Sequence, residues 1–110
     1  MLTARMAVAV VSGLQRGNGS SGSPYLLGTA MAKHFAAYSL ESNYAAGGTD
    51  GQWRLSADLN VSDVDLRQTY FPAFEAALTE GGARSLMCSY NAVNGDPMCM
   101  SPLLRFVSRF

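Results

Sequence analysis

Two short apolar runs, residues 25–32 and 85–90, flank the one strongly marked helix of this chain, and that order restricts the fold more than any other feature. The helix begins at Ser62, with Asp65 three residues on as a variant capping box, and Asp63 and Asp65 suit the positive end of the helix dipole. Leu66, Tyr70, Phe74 and Leu78 then recur every four residues, Phe71 widens the stripe, and Gly81-Gly82 stops it. Pro72 lies inside this pattern, lacks the donor that Gln68 would need, and predicts a kink. Both flanking runs suit buried strands, although for residues 25–32 periodicity alone does not separate strand from helix. Strand, helix and strand make a βαβ unit, for which a right-handed crossover between parallel strands is the rule.

In such units ligands gather at the carboxyl ends of the strands, where this reading puts Lys33-His34 and Tyr90-Asn91. Residues 41–57 read as a polar excursion on the same face. A lysine brings three donors and a histidine a donor and an acceptor, the inventory that holds vicinal hydroxyls. Taken by itself, the pair fits better a lysine snorkelling to solvent beside a histidine bonded to a carbonyl.

Charge narrows the partners. Eight basic and eight acidic residues cancel, and neither sign forms a run of about five or more, so a nucleic-acid partner is excluded and a neutral polar one fits. No apolar run approaches the roughly 18 residues of a membrane span. Arg5 before residues 6–11 superficially resembles a signal peptide without an A-x-A cleavage site. We read a buried helix there, with Leu2, Met6, Val10 and Leu14 on its inner face and Gly13 or Gly17 at its end. Residues 16–24 form a surface loop without the Gly-Lys-Ser/Thr ending of a phosphate cradle. Asn18-Gly19-Ser20 and Asn60-Val61-Ser62 match the N-glycosylation sequon, which matters only in a secretory pathway. Cys88 and Cys99 are too few for zinc. They suit either a disulfide that closes a loop of residues 91–98 in an oxidising compartment or two buried thiols. We expect no metal and no cofactor.

Taken in order, Lys33-His34-Phe35-Ala36-Ala37-Tyr38, Leu40-Glu41, Arg54, Asp65-Leu66, Thr69-Tyr70, Pro72, Phe74, Met87-Cys88-Ser89-Tyr90-Asn91 and Val93-Asn94-Gly95 resemble family 3 glycoside hydrolases, most closely their β-xylosidase and β-glucosidase branch. The resemblance runs over residues 1–104. It implies an α/β fold, a partial (β/α)8 barrel of the TIM type cut before the strand that bears the nucleophile, and so no complete domain. A whole barrel takes about 250 residues. The implied activity is retaining, exo-acting hydrolysis of terminal β-linked xylose or glucose, with a carbohydrate as partner and secretion of the full-length protein. By the same resemblance Lys33 and His34 hydrogen-bond the sugar in the cleavage subsite, Tyr90 lines it, Met87 lies beside it, and Glu41 with Arg54 forms an ion pair that braces the loop.

The departures weigh against activity in this chain alone. Ser39 stands where the family usually carries aspartate, the loop at residues 42–53 is longer, and after Leu104 the glycine-rich helix and Ser-Asp strand end are missing. A retaining glycosidase needs two carboxyl groups about 5–5.5 Å apart. No residue here inherits either role, and Asp96 reads as a turn residue before Pro97. The alternative reading is a non-catalytic sugar-binding or structural remnant.

Overall fold

The computed structural model describes residues 1–17, 23–40 and 54–107. In chain order they form α1 (Leu2–Arg16), β1 (Met31–Phe35), β2 (Asp58–Leu59), α2 (Asp63–Asp65) running into a π-helical turn (Leu66–Tyr70), α3 (Pro72–Thr79), β3 (Ser85–Cys88), β4 (Ala92–Val93), β5 (Asp96–Pro97) and α4 (Pro102–Val107). β1 and β3 pair in parallel across the intervening helices, as the βαβ pattern requires. Beyond their carboxyl ends a second sheet runs in the order β2-β4-β5.

The central helix starts where the sequence placed it. The Ser62 hydroxyl accepts from the Asp65 amide at 3.1 Å and donates to Asp65 Oδ2 at 2.7 Å. The reciprocal half of a true capping box is replaced, because the short aspartate returns to the hydroxyl and not to the backbone. The kink at Pro72 takes the form of a widened turn: the Phe71 amide donates five residues back to the Leu66 carbonyl at 2.9 Å. Pro72 then occupies the first turn of α3, where a missing N–H leaves no bond broken.

This widening delivers aromatics to the core. Phe35, fully buried, stacks on Phe71 at 5.2 Å and meets Phe74 edge-on at 5.2 Å. Leu66, Val93, Met98 and Val107 complete that cluster, with Tyr70 and Leu78 of the predicted stripe packed against it. A single ring pair adds about 0.5–1.5 kcal/mol beyond its buried area.

Three expectations are corrected. Helix α1 forms, and Gly17 ends it at φ 63°, but Leu2, Met6, Val10 and Leu14 are 56–75% exposed. The inner face is instead Ala7, Val11 and Gln15. Small residues decide this choice, because α1 packs tightly on α3: a Cβ on Gly81 would lie 2.7 Å from the Ala77 carbonyl oxygen and 3.1 Å from Val11 Cβ. Buried Gln15 then donates to the Gly82 carbonyl at 2.8 Å and accepts from the Ala30 amide at 3.1 Å, tying α1 to the starts of β1 and β3.

The second correction concerns the first strand. It begins at Met31, whereas Tyr25 and Leu27 lie in exposed irregular chain. Lys33 and His34 therefore sit within β1, not beyond it. The pairing Met31 with Ser85, Ala32 with Leu86 and Phe35 with Cys88 skips one residue of β1 at just this point. Such a bulge re-aims side chains and relaxes the demand for an apolar run. The peptide bonds Lys33–His34 and Phe35–Ala36 are cis.

Third, residues 91–98 are not an open loop. Asn94 and Gly95 have φ of 54° and 86° and form the two-residue turn of a hairpin, β4 to β5. Asp96 lies in β5 opposite Val93. The Asn94 side chain accepts from the Val61 amide and donates to its carbonyl, each at 2.8 Å, and Asp58 accepts from the Gly95 amide at 3.0 Å. These bonds anchor the hairpin to β2.

Candidate functional site

The carboxyl ends of β1 and β3 are locked together by two buried polar residues. Ser89 donates its amide to the Phe35 carbonyl at 2.6 Å, and its hydroxyl lies 3.0 Å from that carbonyl and 3.1 Å from that of Ala36. Asn91 donates Nδ2 to the Ala92 carbonyl at 3.1 Å and, at 3.4 Å, to Ala36. Its Oδ1 is buried and accepts no hydrogen bond among the described residues. Both residues are 1% exposed, and Tyr90 between them is turned outward at 55%. The chain bends at Tyr90 and Asn91 just past the end of β3, with the side chains of residues 89 and 91 turned inward and that of residue 90 outward.

A disulfide between Cys88 and Cys99, with Cα atoms 5.1 Å apart, closes the chain around the hairpin. In the chain-entropy account a loop of this size contributes about 3 kcal/mol. It fixes the segment that carries Tyr90 against residues that follow β5.

Tyr38 organises the exposed surface. Its ring meets His34 edge-on at 5.2 Å and Tyr90 edge-on at 6.2 Å. Arg54 lies over the same ring, with Cζ 4.8 Å from its centroid, and donates Nε–H to the Tyr38 hydroxyl at 2.9 Å. Ala37, at φ 55°, turns the chain so that Tyr38 folds back toward β1. Tyr38 belongs to the Lys33–Tyr38 motif, but nothing in the motif assigns it a role. The available signal was its spacing of four residues from His34, too weak by itself to predict a contact across a turn.

Of the residues singled out from sequence, His34 and Tyr90 are thus joined through Tyr38, and Arg54 joins them. Lys33 neighbours His34 on β1, is exposed, and its side chain makes no hydrogen bond, ion pair or ring contact among the described residues. Met87 is half-buried on β3. Glu41 lies outside the described residues, so the ion pair expected for Arg54 does too. Asp58 and Asp65 are committed to the hairpin and the helix cap. No three His, Cys, Asp or Glu side chains gather as a metal site among the described residues.

The chemistry on offer is an ammonium group, an imidazole, a phenol hydroxyl and two aromatic edges, a set suited to a neutral polyhydroxyl ligand. A cavity of about 570 Å³ lies elsewhere, lined by Leu78, Leu86, Leu104 and Val107 with Arg84 and Arg105, and includes none of these groups. No helix among the described residues is long and apolar enough to cross a membrane.

Residues 1–105 match the family model described as the glycosyl hydrolase family 3 N-terminal domain. The chain is 41% identical over 108 residues to a probable β-D-xylosidase 7 of Arabidopsis thaliana, covering 94% of this chain and 13% of that protein. It is 40% identical over 98 residues to a probable exo-1,4-β-xylosidase of Aspergillus japonicus, covering 89% and 11%. Among solved structures, a β-glucosidase of Erythrobacter marinus superposes with TM-score 0.58 at 30% identity, over 84% of this chain and 11% of the other. The chain therefore spans about an eighth of the length of the curated relatives it matches. A family match over nearly every residue, agreeing with the fold of a β-glucosidase, settles the affiliation: the chain belongs to glycosyl hydrolase family 3.

Proposed function

We propose that this chain is the central portion of the N-terminal barrel domain of a retaining, exo-acting β-glycosidase, and that it supplies one wall of the subsite for the terminal sugar. The parallel β1–β3 pair with α3 between them is one repeat unit of such a barrel, and its carboxyl end is the face on which barrel enzymes bind ligands. The single observation that carries the reading is the family match over residues 1–105. Xylose is favoured over glucose as the terminal sugar, because the relatives at 40–41% identity carry β-xylosidase names.

In this role Lys33 and His34 hydrogen-bond sugar hydroxyls, and Tyr90 presents its ring and hydroxyl to the same sugar. Tyr38 holds His34 and Tyr90 in register, and Arg54 holds Tyr38. Met87 packs beneath. The two carboxyl groups of the double displacement come from other parts of the longer enzyme. This wall contributes orientation: it fixes the anomeric carbon for in-line attack, which accounts for a large share of catalysis in any positioned reaction. The disulfide supports secretion of the enzyme, since such bonds persist in oxidising compartments.

The test is a chimera in which the matched segment of the Arabidopsis relative is replaced by this chain. Hydrolysis of an aryl β-xyloside that is lost on Lys33→Met and on His34→Ala supports the reading. A folded chimera whose activity is indifferent to both changes overturns it.

A further inference from the structure

The sequon Asn60-Val61-Ser62 plays no part in the sugar-binding wall, yet the structure treats its three residues very differently. Asn60 is exposed, directly follows β2, and its side chain makes no hydrogen bond among the described residues. Val61 is clamped on both its amide and its carbonyl by Asn94. Ser62 caps the central helix. The acceptor amide is therefore exposed next to a backbone segment anchored by Asn94, and a large substituent on Asn60 Nδ2 would displace no side-chain hydrogen bond among the described residues.

A second observation is independent of the first. The Cys88–Cys99 disulfide requires an oxidising compartment, and in eukaryotic cells that compartment is the one in which asparagine is glycosylated. We infer that Asn60 is an N-glycosylation site that carries an oligosaccharide in the mature protein. The inference rests on the proposal that the enzyme is secreted.

The reaction forms a bond from Asn60 Nδ2 to the anomeric carbon of an oligosaccharide carried on a lipid pyrophosphate. Nδ2 loses one proton and the lipid pyrophosphate departs. The helix cap bears on when this occurs. The acceptor sequence needs the Ser62 hydroxyl, but in the folded chain that hydroxyl is engaged with both the amide and the carboxylate of Asp65. Transfer is therefore easiest before the cap forms, on the nascent chain. The folded state then leaves the glycan projecting from the end of β2 in the β2-β4-β5 sheet.

The test uses the gene product isolated from its source cells. Trypsin cuts after Arg54 and Arg67 and releases residues 55–67, in which Asn60 is the only asparagine. The expected result is a glycopeptide that an N-glycosidase converts to the same peptide with aspartate in place of Asn60. In a eukaryotic secretory host, Asn60→Gln abolishes the glycan, while Ser62→Thr, which keeps both hydroxyl and cap, retains it. An unmodified peptide from protein whose Cys88–Cys99 bond is intact overturns the site and leaves secretion standing. An unmodified peptide from protein whose two cysteines alkylate as free thiols overturns the site and secretion together.

Discussion

Tyr38 is the side chain on which the geometry of the sugar-binding wall depends, and Tyr38→Leu is its sharpest perturbation. The change removes the edge-on contacts to His34 at 5.2 Å and Tyr90 at 6.2 Å, each of a kind worth about 0.5–1.5 kcal/mol. It also removes the Arg54 contact over the ring, worth about 0.5–1 kcal/mol at an exposed site. Exposure and non-additivity bring the total toward the lower end, about 2 kcal/mol. Were most of that spent on orienting His34 and Tyr90, then at 1.4 kcal/mol per decade kcat/KM in the chimera should fall about tenfold. Tyr38→Phe keeps all three ring contacts and loses only the bond from Arg54, so it should cost less than about fivefold. Steady-state kinetics with an aryl β-xyloside, beside thermal melts of each variant, separate orientation from stability. A Tyr38→Leu chimera within about twofold of its parent in kcat/KM would refute the positioning role.

Gln15→Leu in the same chimera leaves the Ala30 amide and the Gly82 carbonyl buried and unpaired, at about 1–3 kcal/mol each, and should lower the urea midpoint without changing the denaturant slope. In α1, Val11→Glu should destabilise strongly because Val11 is 7% exposed, whereas Val10→Glu at 56% should be tolerated by the isolated chain. The reverse order would restore the helix face read from sequence. The isolated chain of 110 residues should release no aryl alcohol from β-xylosides or β-glucosides, and turnover that disappears on Lys33→Ala would contradict this.

The central helix was legible to its detail because its signals are local: Ser62 caps, four-residue spacing selects the inner face, and Pro72 forces the widened turn. Helix α1 was legible as a helix and misread in its orientation. Hydrophobicity pointed to Leu2, Met6, Val10 and Leu14, but close approach to Gly81 favours the slimmer face of Ala7 and Val11, and Gln15 finds both its partners there. A sequence shows which residues are apolar, not which face a neighbouring backbone comes near enough to select. The first strand was displaced because its polar residues sit at a bulge in the pairing with β3. The Asn94-Gly95 hairpin was readable from its dipeptide alone and was read as loop.

His34 and Tyr90 were both singled out from sequence, but the residue that connects them was not. Tyr38 reaches them only because Ala37 turns the chain back at positive φ, and no spacing rule encodes that turn. Asn91 was expected beside Tyr90 on the ligand face and Ser89 had no role, yet both are buried and only Tyr90 between them is exposed.

A crystal structure of the chimera with a xylose-type inhibitor tests the central claim most directly. The expected result is a sugar whose hydroxyls lie within about 3 Å of Lys33 Nζ and an imidazole nitrogen of His34, with the Tyr90 ring against it. An inhibitor bound with the chimera's remaining site intact, but with Lys33 and His34 both too distant to hydrogen-bond it, would contradict the account.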